Sequence, residues 1–434
     1  MTKKGSVFFK DLPVGEIKQT TEKFYEFQYA SKNQNSVSWT LPRKEPLHKS
    51  EELFPFFDGL IPEGWLLNLV TKNWKISQND RMSLLLTACQ NCIGAAHVQP
   101  AVKPKQTPDP LLKKPTSNYK IGKCLVCTEP LKKDEGPTHK NCMRRLFNVT
   151  ELPFVDVNLA RLEELALLQV NQRMTLTGVQ KKLSLTPIMD DQKKKRLTAT
   201  GVDSRFILKP PTEEYPEMPE IEHTSMRLAK LQGLRMADCS LIPLASGELA
   251  YITKRFDRTD TGKIQMEDFC QLSRKPTRKK YAGSSESLGK VIDEFSGQAA
   301  DDKLTLFQII LFSFWIGNTD MHLKNFSLWR DPESQSVRMT PGYDFLSTRL
   351  LISKKEDIEE LALPVNGRKN KLKWSDFQSL GNTLKIPLKA QLNVRDRLMD
   401  SIGESEELIE KSFLSAGKQE EFVKILRQHS KKLT

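Results

Sequence analysis

The stretch WIGNTDMHLKNFSLWRDPESQSVRMTPGYDFL, residues 315–346, sets Asp320 five positions ahead of Asn325 and places Asp344 beyond both, on a strand-like exit from a turn. A carboxylate can accept the proton of an attacking hydroxyl. A second carboxylate and an amide carbonyl can hold magnesium on phosphate groups, because that ion takes hard oxygen ligands. Together the three side chains suit phosphoryl transfer. The bland alternative is a polar loop after a buried helix, since an Asp and an Asn five apart often recur by chance.

Upstream, Arg205-Phe206-Ile207-Leu208-Lys209 reads as a strand ending in lysine, and Glu222 opens an amphipathic helix, EIEHTSMRLAKLQGL. Protein kinases brace the α and β phosphates of ATP with a strand lysine held by a helix carboxylate, and they keep the same order of Asp, Asn and Asp downstream. A surface lysine and a first-turn glutamate suited to the helix dipole would look alike. Before the lysine, Met174-Thr175-Leu176-Thr177-Gly178-Val179-Gln180-Lys181 is a strand-turn-strand candidate able to cover phosphates with backbone N–H groups, although it carries one glycine.

A second constellation is Cys124-x2-Cys127 followed by His139-x2-Cys142. Two close pairs of soft ligands across a short polar loop, with Gly136 and Pro137 at the turn, fit a tetrahedral structural Zn2+ knuckle. Four protein ligands leave no open position for a catalytic water. Buried free cysteines are the alternative, and they are the better reading of Cys89-x2-Cys92, which lacks a partner pair.

These groups must be positioned by a chain of 434 residues, more than one core usually organises. Residues 1–100 alternate strand-like segments with turns, and GWLLNLVTKNW and RMSLLLTACQ read as helices, giving a small α+β module. The segment 101–120, rich in Pro, Lys and Thr, reads as a linker. Residues 121–150 hold the zinc knuckle, 151–300 a strand-rich lobe with the Gly-containing loop and the Lys strand, and 301–434 a helical lobe. A helix is expected from about Asn158 to Val170, and the fold class is α+β, a two-lobed kinase-like body with a cleft between the lobes. No internal repeat is visible.

The apolar run Leu306 to Gly317 is too short to cross a bilayer and reads as a buried helix. With no secretory signal at the N-terminus and seven unevenly spread cysteines, a cytoplasmic protein without disulfides or membrane contact is expected. Net charge is +13 and the isoelectric point about 9.2, which permits contact with nucleic acid or with a nucleic-acid-binding partner. The basic clusters at 193–196, 274–280, 368–373 and 431–432 read singly as solvated loops.

The ordered set TLTGVQKKLSL, FILKPP, ITKRFDR, EDFCQL, GNTDMHLKNFSL and PGYDFL resembles the HipA family of toxin serine/threonine kinases. The first hundred residues also resemble that family's N-terminal module, through FFDGLIPEGW and LLLTACQNCIGAAHV. In some related systems this module is a separate protein, HipS, and the kinase is a second one, HipT; the chain looks like the two joined.

The resemblance implies that Asp320 is the catalytic base, that Asn325 and Asp344 bind Mg2+, and that Lys209 contacts ATP. Lys254, Arg255 and Phe256 would form the adenine hinge, and the loop with Thr177, Gly178, Val179 and Gln180 would lie over the phosphates. His322 stands where most eukaryotic-type kinases keep a lysine; it would donate there, or serve as a core or capping histidine. Asp344-Phe345-Leu346 lacks the Phe-Gly that follows the metal Asp in other kinases, so a conventional activation segment is not expected. Related kinases autophosphorylate serines in the loop, which makes Thr175 and Thr177 candidate sites, although β-branched threonines also simply favour a strand. The implied partners are a HipB-like helix-turn-helix antitoxin, operator DNA through that antitoxin, and an aminoacyl-tRNA synthetase as substrate. The rival class is a non-catalytic DNA-associated repressor or scaffold with a vestigial cleft.

Overall fold

The computed structural model describes residues 2–21, 24–30, 35–100, 122–133, 135–172, 176–189, 195–199, 204–353 and 355–434. The linker expected at 101–120 lies outside the described residues, as does Thr175. Strands β1 (Lys3–Phe9), β2 (Leu12–Thr21), β3 (Phe24–Tyr29) and β4 (Leu47–Ser50) are followed by helices α1 (Pro55–Asp58), α2 (Gly64–Trp74) and α3 (Arg81–Ala88), and then β5 (Ala96–Pro100). The strands form an antiparallel sheet in the order β4-β3-β2-β1-β5. Alternation decides which face is covered: Val7 and Phe9 on β1 and Phe27 and Tyr29 on β3 are buried. Phe27 meets Phe57 of α1 edge-on at 5.4 Å. Asp80 caps α3, its carboxylate accepting from the Ser83 N–H at 3.1 Å.

Next come α4 (Lys140–Phe147), β6 (Phe154–Val155), α5 (Leu162–Asn171), β7 (Leu183–Met189), β8 (Lys195–Thr198) and β9 (Phe206–Lys209). Helix α6 (Met218–Leu231) then crosses to β10 (Cys239–Pro243) and β11 (Leu249–Lys254). These strands order as β10-β11-β9-β7-β8-β6, antiparallel apart from the β6–β8 pair. Pro219 in the first turn supports the start of α6, where its missing N–H costs nothing. The helix therefore opens at Met218, and Glu222 sits in its second turn, not at the start expected from sequence.

The rest runs β12 (Arg258–Thr259), β13 (Gly262–Lys263), β14 (Met266–Asp268), α7 (Phe269–Leu272), α8 (Ser285–Phe295), α9 (Ala299–Ile316), β15 (Ser327–Arg330) and β16 (Val337–Met339). Helices α10 (Trp374–Thr383), α11 (Leu388–Asp400), α12 (Ile402–Glu410) and α13 (Ala416–Leu433) close the chain. Because β14 pairs with β15 and α8 packs on α9, residues from Met266 onward build with the helical part. Almost every residue of α9 from Leu306 to Ile316 is buried, as its all-round apolar sequence requires, and Gly317 ends it at φ 72°. Trp315 Nε1 donates to Ser430 Oγ of α13 at 2.8 Å, satisfying its one polar atom. No helix among the described residues is long and apolar enough to cross a membrane.

Candidate active site

A cavity of about 200 Å³ opens where β9, β11, α6 and the segment after α9 converge. Lys209, Glu222, Asp320, His322, Asn325 and Asp344 all line it, with the loop 176–180 above them. Lys209 ends β9 and is buried. Its Nζ donates to Glu222 Oε1 at 2.6 Å and to an Asp344 carboxylate oxygen, and it faces the Tyr251 ring on the adjacent strand at 5.5 Å. Burial alone would lower the lysine pKa, but the Asp344 and Glu222 carboxylates outweigh it and hold the value above the ordinary one.

The two carboxylates are unequal partners. Burial would raise Asp344, yet Lys209 and Lys182 outweigh that and hold it well below the usual range. Burial pushes Glu222 up to about 7, with the Asp344 charge adding to the rise, and Glu222 Oε2 has no hydrogen-bond partner among the described residues. Asp344 is thus the firm anion and Glu222 the weaker clamp. Asp344 stands at φ 63°, a left-handed conformation and not the strand-like exit expected from sequence. Phe345 holds it there, fully buried and edge-on to Phe312 of α9 at 5.6 Å.

After α9 the chain turns through Asn318 and Thr319 to Asp320, whose N–H donates to Asn318 Oδ1 at 3.1 Å. Asn325 Nδ2 donates to the Asp320 carbonyl at 3.0 Å, so its amide oxygen is the end left for a ligand. Tyr281 donates its hydroxyl to Asp320 Oδ1 at 2.5 Å and sets its ring edge-on to His322 at 5.0 Å. His322 is buried, which lowers its pKa and favours the neutral imidazole.

The loop runs without regular structure from Leu176 to Lys182, and β7 starts only at Leu183, so no strand precedes the turn among the described residues. The Thr177 carbonyl accepts from Lys182 Nζ at 2.7 Å, Gly178 takes φ 102°, Val179 is exposed and Gln180 reaches Met218. At the hinge, the N–H groups of Lys254 and Arg255 already donate to the carbonyls of Asp238 and Arg205, at 2.8 and 2.9 Å. The Arg255 guanidinium turns away to Asp257, at 2.8 Å, and to the Cys92 carbonyl. Phe256 also lines the cavity, and its N–H has no backbone partner among the described residues.

Sequence reasoning missed Tyr281, Lys182, Lys280 and Glu63. Glu63, at the start of α2, reaches the cavity from the N-terminal unit and binds Lys280 at 3.0 Å and Lys324 at 3.3 Å. Burial would raise its carboxyl, but these two lysines outweigh it and hold the value down near 2. Lys280 is therefore buried, not the solvated end of a basic loop.

The cysteine pairs also come together. One donor atom each from Cys124, Cys127, His139 and Cys142 lies within 4.8 Å of the others. Cys127 Sγ is 3.2 Å from His139 Nδ1, while His139 Nε2 pairs with the Pro130 carbonyl at 3.1 Å, leaving Nδ1 directed at the cluster. Cys89 and Cys92 are both buried.

Comparison with known proteins places this architecture. The HipA N-terminal domain model matches residues 5–99 and the HipA-like C-terminal domain model matches residues 174–408. Among curated proteins the chain is similar to two Sinorhizobium fredii proteins carrying kinase as a provisional name. Y4dM is 35% identical over 41% of this chain and 45% of its own length. Y4mE is 28% identical over 77% and 75%. The serine/threonine-protein kinase toxin HipA of Shewanella oneidensis is 27% identical over 45% of this chain, and the match spans only 47% of that toxin. The solved Shewanella oneidensis HipA, in a complex with HipB and its operator DNA, superposes with a TM-score of 0.69 at 19% identity, over 99% of this chain and 97% of that one. The expected mixed α and β, HipA-like fold is borne out, and with more than half of its length matched by the C-terminal family model the chain belongs to the HipA family.

Proposed function

We propose that the chain is an ATP-dependent serine/threonine protein kinase of the HipA toxin type. The observation that carries this reading is the convergence of Lys209, Glu222, Asp344, Asp320 and Asn325 on one cavity, with Lys209 paired to both Glu222 and Asp344. Lys209 binds the α and β phosphates of ATP, exchanging its bond to Asp344 for phosphate oxygens while Glu222 keeps its direction. Asp320 accepts the proton of the protein hydroxyl that attacks the γ-phosphorus. Asn325 and Asp344, one amide oxygen and one ionised carboxylate lining the same cavity, fit a hard cation, and magnesium held there would supply charge neutralisation on the phosphates. The Phe256 backbone meets adenine, and Gly178 with its neighbours covers the phosphates. Neutral His322 donates a hydrogen bond toward the transferred group.

The partners follow the family reading: a HipB-like antitoxin, operator DNA reached through it, and an aminoacyl-tRNA synthetase as substrate in the cytoplasm. Thr177 is the described candidate for autophosphorylation, because its residue caps the cavity and an added phosphate of about −1.5 to −2 charges would repel the triphosphate. Thr175 shares that proposal on sequence grounds. Radiolabelled ATP incubated with cell lysate tests the reading. Wild-type protein should label a protein band that Asp320→Asn does not, and equal labelling by the two would overturn it.

A further inference from the structure

The cysteine cluster lies outside the cavity, yet its loop is built onto the helix that carries Glu222. Leu125, between Cys124 and Cys127, is fully buried in the core formed by α6 and the C-terminal helices. Its carbonyl accepts from the Leu241 N–H at 3.1 Å and from Ser240 Oγ at 3.2 Å, both on β10. The Val126 carbonyl accepts from His223 Nε2 at 3.1 Å and from Arg227 Nη1 at 3.2 Å, both on α6. His223 is the immediate neighbour of Glu222. The Phe413 ring closes the same contact, 6.5 Å from the His223 ring and beneath Lys123 at 4.8 Å.

The loop is held locally by turn hydrogen bonds, such as the Cys124 N–H to the Glu129 carbonyl at 2.9 Å and the Thr128 N–H to the Cys124 carbonyl at 2.8 Å, and not by regular secondary structure. Between Gly122 and His139 the described residues contain one isolated bridge, Lys123 with Pro130, and no regular helix or strand. Thr128 takes φ 59° where the chain turns back after Cys127. So short a segment, with no sheet or helix of its own, needs a staple to hold two carbonyls in register with a neighbouring helix. Three thiols and one imidazole are the kind of four-donor set that closes a tetrahedral zinc site. Its bonds of about 2.0–2.3 Å imply donor separations of roughly 3.5–4 Å, within the observed spread. The pairing of His139 Nε2 with the Pro130 carbonyl fixes the tautomer that presents Nδ1.

We propose that Cys124, Cys127, His139 and Cys142 bind one zinc ion, and that the loaded knuckle, through the Leu125 and Val126 carbonyls, holds α6 so that Glu222 stays on Lys209. The zinc then acts as a positioning element for the nucleotide clamp. This second half rests on the reading of Lys209 and Glu222 as that clamp.

The test uses full-length protein purified without chelators. Elemental mass spectrometry should find about one zinc per chain. Folded wild-type protein with no zinc would overturn the site. Zinc is then stripped with a mercurial and a chelator and restored, while amide exchange across α6 and binding of a fluorescent ATP analogue are followed. Stripping should speed exchange in α6 about tenfold or more, and zinc should reverse it. Unchanged exchange would overturn the brace, whatever the nucleotide does. Affinity should weaken about tenfold on stripping and recover with zinc. If α6 loosens but affinity stays the same, zinc braces the helix without governing the clamp, and the second half falls. If even loaded protein binds no nucleotide, the kinase reading fails and the exchange result still decides the brace. His139→Cys, which keeps four ligands, should retain zinc and slow exchange, whereas Cys124→Ser with Cys127→Ser should lose both.

Discussion

The Tyr281 hydroxyl donates to Asp320 Oδ1 at 2.5 Å, so the carboxylate proposed as base is oriented by a side chain 39 positions earlier in the chain. Oδ1 is thereby occupied, and Oδ2 is the oxygen left to receive the proton of an attacking hydroxyl. Burial and the Asp320 charge both push the Tyr281 phenol up, so it remains a donor at any working pH. Tyr281→Phe should lower kcat about tenfold while leaving KM for ATP nearly unchanged, because the ring still packs on His322. Asp320→Asn should cost about 10²-fold or more. A Tyr281→Phe variant with normal kcat and weakened ATP binding would assign the tyrosine to structure instead.

The triad of Lys209, Glu222 and Asp344 predicts asymmetric consequences. Asp344→Asn leaves Lys209 paired with Glu222, so thermal stability should change by only a few degrees while phosphoryl transfer is lost. Lys209→Met leaves the buried Glu222 carboxylate and the partly exposed Asp344 carboxylate without their shared cation, which should lower Tm clearly. Parallel thermal melts and transfer assays check the pair; equal destabilisation by the two substitutions would contradict it.

A pH dependence follows from Glu267 on β14. Its carboxyl accepts from Ser38 Oγ at 2.7 Å and from the Trp39 N–H at 2.8 Å, joining the N-terminal unit to the body. Burial pushes its pKa up to about 8, against an ordinary 4.5. The folded protein therefore keeps a proton that the unfolded chain releases, so the contribution is full below about pH 4.5 and is lost as pH rises through about 8. Gln at this position can accept from the Trp39 N–H through its amide oxygen, while its Nε2 takes the place of the second oxygen and donates to Ser38 Oγ, and it removes the titration. Denaturant melts should show wild type losing stability relative to Glu267→Gln between pH 5 and 8, by on the order of a few kcal/mol. Parallel profiles would refute the assignment.

What could be read from sequence was what the chain encodes locally. Asp320, Asn325 and Asp344 fall within one stretch, and the apolar run of α9 fixes where it starts. Lys209 was legible because a strand ending in lysine is a local pattern, and the cysteine spacing carried the cluster. Glu63, Tyr281 and Lys280 were not legible, because only the tertiary fold brings them to the cavity. Lys280 looked like the end of a basic, solvated run, and its partner Glu63 lies 217 positions away. The start of α6 was misplaced although Pro219 in its first turn was a usable signal. The positive φ of Asp344 had none, since the packing of Phe345 against Phe312 sets it.

The loop over the cavity offers the last prediction. Gly178 at φ 102° adopts a conformation that residues with a Cβ rarely take, and a methyl built there would lie 2.6 Å from Lys182 Nζ. That ammonium is the donor holding the Thr177 carbonyl at 2.7 Å, so both the backbone and its tether would have to move. The backbone strain alone costs about 1–2 kcal/mol. Because residues 176–182 belong to no helix or strand, the cost falls on the loop's covering position and not on the two cores. Gly178→Ala should therefore weaken binding of a non-hydrolysable ATP analogue by about tenfold, the equivalent of about 1.4 kcal/mol, with Tm nearly unchanged. Calorimetric titration measures the first and thermal melting the second. Shortening the tether partner in Gly178→Ala with Lys182→Ala removes the collision but not the φ strain. The double variant should stay weak if conformation dominates and recover if the collision does. Wild-type affinity in Gly178→Ala itself would show that this loop does not cover the nucleotide.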